Sequence, residues 1–330
     1  MPEEVKTANL IDSEVIQVSK ECGFNVSKVD ALKLEASGRE YYRISKDSGE
    51  TFVLCYLDPN LGNHSKFQHV SKFLFDQNVR CPEIIFYDDS LGITIQEDLG
   101  DQSLIDLDVL NEKNNLLLQK SLGILTKIQT ANVPQIPKLN QDSLFEQMTL
   151  MENFFIKDLL SMDSHRDLDV LKMLTIEELL NQPWMNCHFD FERRNLILLE
   201  DNEIAIVDYQ DLCSGPIGID LAGLLIDHYV KYTDQKIMES LTSYSSLIEI
   251  DASPEEIFEW VRWGAIQRNM RILGILSKIY IDTDRSFRLK DLPQILNNLI
   301  ELIPDKNFTA LKKYLNEEVH QNLLVRLDKI

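Results

Sequence analysis

Apolar positions recur along this chain with two different periods, and the change from one to the other divides it. Up to about residue 98 the pattern is mainly that of strands. Short runs at 29–34, 41–45, 51–57, 84–87 and 93–96 are rich in Val, Ile, Tyr and Phe. Turn signals such as Lys46-Asp47-Ser48-Gly49 and Asp89-Ser90-Leu91-Gly92 separate them. Two helical stretches interrupt the strands. One covers 3–22, with Leu10, Ile11, Val15, Ile16 and Val18 at helical spacing; the other covers 65–77, with Phe67, Val70, Phe73 and Leu74 on one face. A five-stranded antiparallel sheet with one helix inserted after the third strand is predicted. Glu97-Asp98-Leu99-Gly100-Asp101 then forms a short polar crossing with a glycine, expected to be a hinge.

From Leu104 onward the period is helical. Helices are predicted over 104–130, 141–161, 166–181, 218–232, 234–248, 254–281, 291–302 and 307–328, with Val133-Pro134-Gln135-Ile136-Pro137 as a stiff connector. No internal repeat or low-complexity tract is visible. The expectation is an α+β, bilobal protein: a small antiparallel β lobe over 1–98 and a larger, mainly helical lobe over 99–330. A cleft between two lobes is a common ligand site.

Composition narrows the function classes. A chain of 330 residues can bury a large core, and its net charge of −21 disfavours nucleic acid or an anionic membrane as partner. The acidity is spread over both lobes, which argues for a solvating role over a dedicated cation trap. Five scattered cysteines, Cys22, Cys55, Cys81, Cys187 and Cys213, include no Cys-x-x-Cys pair, as expected of reduced thiols in a cytoplasm. No signal-peptide pattern and no apolar run long enough to span a bilayer is present.

The stretch from Asn186 to Asp211 carries the chemistry. It contains His188-x-Asp190, then Asn195, then the strand-like Leu196–Leu199, the turn signal Asp201-Asn202, and Ile204-Ala205-Ile206-Val207 leading into Asp208. In phosphoryl transfer one carboxylate meets the acceptor hydroxyl, while a carboxamide and a second carboxylate hold magnesium through hard oxygen atoms. Asp190, Asn195 and Asp208 supply those three groups. An ordinary surface hairpin is the competing reading. It is disfavoured by Asp208, which directly follows an apolar run, where an acid needs a partner or a metal.

Together these features resemble the protein-kinase-like small-molecule kinases of the aminoglycoside phosphotransferase and choline kinase superfamily. Asp98-Leu99-Gly100-Asp101, Val207-Asp208-Tyr209-Gln210-Asp211, Gly215-Pro216 with Asp220-Leu221, and Gln267-Arg268-Asn269-Met270-Arg271-Ile272-Leu273-Gly274 are similar to one branch, the bacterial anomeric kinases of N-acetylmuramate and N-acetylglucosamine. Those enzymes serve cell-wall recycling. The resemblance implies Asp190 as catalytic base, Asn195 and Asp208 as magnesium ligands, and His188 as a loop-orienting residue. It also implies that the Glu97 carbonyl and the Leu99 amide meet adenine. Asp220 would brace the catalytic loop, with a plain helix cap as the alternative. Arg194 falls where related sugar kinases carry arginine.

The chain also departs from the kinase pattern. The third strand, Thr51-Phe52-Val53-Leu54-Cys55-Tyr56, has no lysine, and the following helix, Ser65–Gln77, has no glutamate. Losing both partners avoids a buried unpaired charge. Another cation must then neutralise the triphosphate, and Arg43, Arg39 and Arg194 are the candidates. Ser37 and Gly38 belong to a candidate phosphate-covering turn at 35–40. Glu192 is a further departure, because an acid there would repel a transferring phosphate unless it faces the sugar or solvent. Asp211, Arg268 and Glu146 are candidate readers of the acceptor; Arg268 and Arg271, three apart on one helix, could equally be surface charges.

The expected function is ATP- and Mg²⁺-dependent phosphorylation of a sugar hydroxyl, at the anomeric position of an N-acetylated amino sugar. Alternatives are an aminoglycoside- or choline-type amino-alcohol kinase and a catalytically silent nucleotide-binding module. The expected protein is cytoplasmic, a monomer or weak dimer, with a small-molecule partner and neither nucleic acid nor membrane.

Overall fold

A computed structural model describes residues 10–32, 39–62, 64–107 and 115–330. The expected turn residues Ser37 and Gly38, residues 3–9 of the first predicted helix and residues 108–114 of the predicted helix 104–130 lie outside the described residues. The chain forms two compact units. One comprises Met1–Gln102 with Leu199–Gln210; the other comprises Ser103–Leu198 with Asp211–Ile330. The expected division at 98/99 thus falls a few residues later, and Leu199–Gln210 groups with the first unit.

In the first unit α1 (Asp12–Glu21) is followed by β1 (Lys28–Ala31), β2 (Glu40–Ser45), β3 (Thr51–Tyr56), α2 (Ser65–Asp76), β4 (Ile84–Asp88) and β5 (Ile93–Glu97). The five strands form one antiparallel sheet in the order β1-β2-β3-β5-β4, with α2 after the third strand as predicted. Alternation along β2 decides what each face carries. Tyr42 and Ile44 pack with Phe52, Leu54, Ile93 and Ile95 into a core against Val15 of α1. Tyr41 and Arg43 therefore point to the opposite face, where Tyr41 stands opposite Cys55 of β3. The buried Glu40 does not break this pattern. It accepts hydrogen bonds from the Tyr42 hydroxyl at 2.5 Å and the Leu10 amide at 3.0 Å. The strand β8 (Ile204–Ile206), which follows β7 (Leu196–Leu198) in the chain, also belongs to this unit, and its Ile206 amide donates to the Arg80 carbonyl at 2.8 Å.

The second unit is helical around α8 (Pro254–Thr283). Its start is set by Ser253, whose hydroxyl accepts from the Glu256 amide while the Glu256 carboxylate accepts from the Ser253 amide, with Pro254 in the first turn. Around it lie α3 (Asn115–Thr130), α4 (Gln141–Leu150) running into a π-helical stretch at Met151–Leu159, and α5 (Asp167–Leu180). Then come α6 (Gly218–Leu225), α7 (Asp234–Leu247), α9 (Leu292–Leu302), α10 (Asp305–Lys313) and α11 (His320–Leu327). Three predictions need correction. The helix expected over 104–130 is not continuous: Leu104–Asp106 forms a single 3-10 turn, Leu107 is extended, and α3 covers Asn115–Thr130. The helix expected over 218–232 stops at Leu225, after which Ile226–Tyr229 are irregular. The helix expected over 307–328 is broken into pieces, with a π-helical stretch at Tyr314–Val319.

Two four-residue strands were not predicted: β6 (Trp184–Cys187) and β9 (Cys213–Pro216), paired antiparallel with Cys187 opposite Cys213. Neither has enough alternation to be read from its residues. Their pairing brings the residue after β6, His188, towards the start of α6, which carries Asp220. Glycines then let α8 come close. A Cβ on Gly264 would lie 2.3 Å from the Gly218 carbonyl oxygen, and one on Gly274 would lie 2.3 Å from the Leu150 carbonyl carbon. Between these two contact points α8 carries Arg268 and Arg271.

Candidate active site

The catalytic-loop segment of the second unit is held from below by one carboxylate. Asp220, 1% exposed, accepts the backbone N–H of His188 at 2.6 Å and of Phe189 at 2.9 Å. It acts as a brace across space and does not cap its own helix. Burial raises its pKa, opposed by His188 and the two amide donors. The brace is needed because Phe189 has φ +77°, a conformation disfavoured for a bulky side chain. Arg271 secures the same residue from above. Its guanidinium lies 4.0 Å from the Phe189 ring centroid and donates through Nη2 to the Phe189 carbonyl at 3.0 Å.

The same Nη2 donates to Oδ1 of Asp190 at 2.8 Å. The Asp190 side chain is 42% exposed, so one carboxylate oxygen is held while the group stays open to solvent. Its backbone carbonyl accepts the Glu192 amide and the Asn195 Nδ2, both at 2.9 Å. Tying down the nitrogen of the Asn195 carboxamide fixes which end of that group is left as an oxygen donor.

Glu192 resolves differently from the sequence expectation. Its carboxylate accepts Arg268 Nη2 at 2.6 Å and lies 3.6 Å from Arg194 Nε. Burial would raise its pKa, but Arg268, Arg288 and Arg194 together outweigh burial and hold it below the ordinary glutamate value. Its negative charge is thus neutralised within the unit. Arg268 and Arg271 are both buried, so the surface-charge reading of this pair is corrected. Arg268, 2% exposed, spends its Nη2 on that bond to Glu192.

Two further residues, not read from the sequence, extend the network. Arg193 donates to Asp227 at 2.5 Å and to the Leu104 carbonyl at 3.0 Å. Arg288 donates to Asp291 at 2.7 Å. Arg194 donates to the Tyr229 hydroxyl and lies over its ring. In their midst the His228 pKa is pushed down to about 2, first by burial and then by Arg268, Arg288, Arg194 and Arg193. No local signal in the sequence marks Arg193 or Arg288 as members of this network, because their partners lie elsewhere in the fold or in an irregular segment. Of the other candidate acceptor readers, Asp211 and Glu146 are exposed residues of this unit.

The first unit carries the remaining candidates. Asp208 has φ +62°, and its Oδ1 accepts Gln210 Nε2 at 2.6 Å. Arg43 is clasped by Asp98 and Asp101, with four hydrogen bonds of 2.7–2.9 Å. Its charge is already matched by two carboxylates, which sets it apart from a cation waiting for phosphate. The Glu97 carboxylate is bonded to Arg80, and its backbone amide donates to the Glu83 carbonyl at 2.9 Å. Leu99 lies just after β5, in the segment that supplies Asp98 and Asp101.

A family model described as the phosphotransferase enzyme family matches residues 28–245, about two-thirds of the chain. The chain belongs to this phosphotransferase family. It is 25% identical over 279 residues to an N-acetylmuramate/N-acetylglucosamine kinase of Neisseria meningitidis serogroup B, covering 80% of this chain and 82% of that one. It is 25% identical over 284 residues to the protein of the same name from Pseudomonas putida, covering 83% of each. The choline kinase LicA of Streptococcus pneumoniae superposes with a TM-score of 0.62 at 15% identity, over 88% of this chain and 99% of that one. ADP-bound aminoglycoside phosphotransferase APH(2'')-Ib does so with a TM-score of 0.59 at 14% identity, over 88% and 99%. The phosphotransferase is thus a small-molecule kinase with the expected α+β, protein-kinase-like fold. Among the described residues no helix is long and apolar enough to cross a membrane.

Proposed function

We propose that this phosphotransferase moves the terminal phosphoryl group of ATP to the anomeric hydroxyl of an N-acetylated amino sugar of the N-acetylmuramate/N-acetylglucosamine class. The main support is the state of Asp190. One carboxylate oxygen is fixed by Arg271, the backbone is fixed by Asn195 and by the Asp220 brace, and the group remains exposed. A positioned, accessible carboxylate suits a group that orients an acceptor hydroxyl and takes its proton late.

The donor set fits magnesium. Asn195 offers a carboxamide oxygen and Asp208 a carboxylate, both hard ligands, and magnesium is commonly bound through one or two such groups with phosphate and water completing the octahedron. No group of three or more His, Cys, Asp or Glu side chains forms a metal cage among the described residues. When bound, the ion would supply charge neutralisation at the phosphates. Asp190 would orient the hydroxyl. Asp211 and Glu146 would contact the acceptor, and Arg268 would act through Glu192. The Glu97 carbonyl and Leu99 amide would meet the adenine, and Arg194 would support the phosphates.

The arginine network bears on the choice of acceptor. Arg193, Arg194, Arg268, Arg271 and Arg288 outnumber the acids they engage, Asp190, Glu192, Asp227 and Asp291. A cationic amino alcohol gains nothing from such surroundings, whereas a neutral sugar or one carrying a carboxylate, as N-acetylmuramate does, is tolerated or attracted.

The test is turnover of ATP with N-acetylmuramate, N-acetylglucosamine, choline and an aminoglycoside, with the product located by phosphorus NMR. A 1-phosphate of an N-acetylated sugar is expected, and Asp190→Ala should lower kcat by roughly 10²–10⁴. Turnover with the amines alone would overturn the substrate assignment. Nucleotide binding without turnover on any acceptor would leave a silent module.

A further inference from the structure

Kinases of this architecture place a cation on the nucleotide phosphates, in protein kinases a third-strand lysine held by a helix glutamate. Here β3 has no lysine and α2 no glutamate. Arg43, on the same sheet, is clasped by Asp98 and Asp101.

Arg39, directly before β2, is in a different state. Its guanidinium lies 5.3 Å from the ring centroid of Phe67 on α2. Phe67 in turn meets Tyr209 edge to face at 5.8 Å, and Tyr209 directly follows Asp208. A continuous line of contacts therefore links the arginine to the candidate magnesium ligand within one unit. Tyr41 and Cys55, opposite each other in register, both lie within electrostatic reach of Arg39 and of Asp208. The Arg39 Nε is buried and meets no hydrogen-bond acceptor, and no carboxylate pairs with the group among the described residues. A guanidinium so held keeps its full charge. A glutamate partner would cancel that charge, whereas a ring face positions the cation without neutralising it.

We propose that Arg39 replaces the missing third-strand lysine as the cation that neutralises the nucleotide's phosphates, with Phe67 taking the holding role of the missing helix glutamate. This rests on a nucleoside triphosphate being the donor. Charge-assisted hydrogen bonds of this kind are worth about one to two decades of affinity.

Calorimetric titration of the full chain with MgATP and, separately, with adenosine tests it. Arg39→Ala should weaken MgATP by roughly 10–100-fold and leave adenosine unchanged. Arg39→Lys should recover part of the loss, and Phe67→Leu should show a smaller loss of the same kind. If Arg39→Ala fails to fold, Arg39→Met, which keeps an apolar stem over Phe67, takes its place. Wild-type MgATP affinity in the variant overturns the proposal, as does an equal loss for MgATP and adenosine. A wild-type chain that binds no nucleoside triphosphate sinks the donor assignment itself, a separate and recognisable failure.

Discussion

The two units treat their arginines in opposite ways. In the sheet unit Arg43 is locked between two acids at the edge of solvent, and Arg39 rests on an aromatic ring with no acid paired to it among the described residues. In the helical unit Arg193, Arg268 and Arg271 are buried, and each is bonded to an acid of the loop or its surroundings. Buried pairs of this kind contribute little net stability compared with apolar packing, but they fix geometry, because breaking one leaves an uncompensated charge. The helical unit thus uses arginine to hold a loop in place, whereas the sheet unit keeps one arginine's charge available. The catalytic loop needs fixing for a visible reason: Phe189 sits in a backbone conformation that it would leave without Asp220 and Arg271.

Breaking the Arg268–Glu192 pair should have the largest effect on stability. Arg268→Met leaves Glu192 buried with only Arg194 and Arg288 nearby, and unfolding free energy should fall by up to about 3–5 kcal/mol. The double variant Arg268→Met/Glu192→Leu should be less destabilised than the sum of its parts, as measured by denaturant titration. Strict additivity would show that the two charges are not coupled in solution, and the contrast between the units would lose its strongest member.

Arg271 sharpens the comparison on the side of activity. If it positions Asp190, then Arg271→Ala should lower kcat by roughly 10–100-fold at saturating ATP, as expected for losing a charge-assisted hydrogen bond. The KM for ATP should stay unchanged, and added guanidinium should restore part of the rate. On an Asp190→Ala background the same substitution should cost nothing more in kcat. A loss of melting temperature with kcat intact would instead make Arg271 a packing residue.

What could be read in advance followed the same division. The sheet was legible because period-two alternation and turn residues are local signals. The inserted helix α2 was legible because its spacing is helical, and spacing along the chain is what nominates Asp190, Asn195 and Asp208 as candidates. The partners of the loop were not. Arg271 lies 81 residues from Asp190, and Arg268 lies 76 from Glu192. They meet only because glycines at 264 and 274 let α8 approach its neighbours closely. Nor could charge alone separate Arg43 from Arg39; that depended on which side chains the strand register and α2 place beside each. The strands β6 and β9 were missed because Asn, Ser, Gly and Pro at those positions carry no strand signal, although their pairing is what sets His188 near Asp220.

The smallest expected effect compares one histidine from each unit. His64 in the sheet unit is buried, and its pKa is lowered from 6.5 to about 4, first by burial and then by Arg39. His228 in the helical unit is lowered from 6.5 to about 2, by burial and four arginines. Both are neutral when folded, but the unfolded chain takes up a proton below 6.5. The stability each contributes is therefore complete above 6.5 and is lost as pH falls, ending near 4 for His64 and continuing towards about 2 for His228. Between about pH 7 and about pH 5.5, above the range in which carboxylates dominate, each should cost on the order of 1 kcal/mol. His64→Gln and His228→Gln should each flatten the fall of melting temperature across that window by a similar amount. Hydrogen exchange, read on the sheet for one variant and on α6 and α8 for the other, should assign the change to the unit that carries the substitution. An unaltered pH dependence in His228→Gln would mean that this imidazole takes up its proton in the folded protein as readily as in the unfolded chain, and that the arginines around it sit further away or are better screened than their contacts imply.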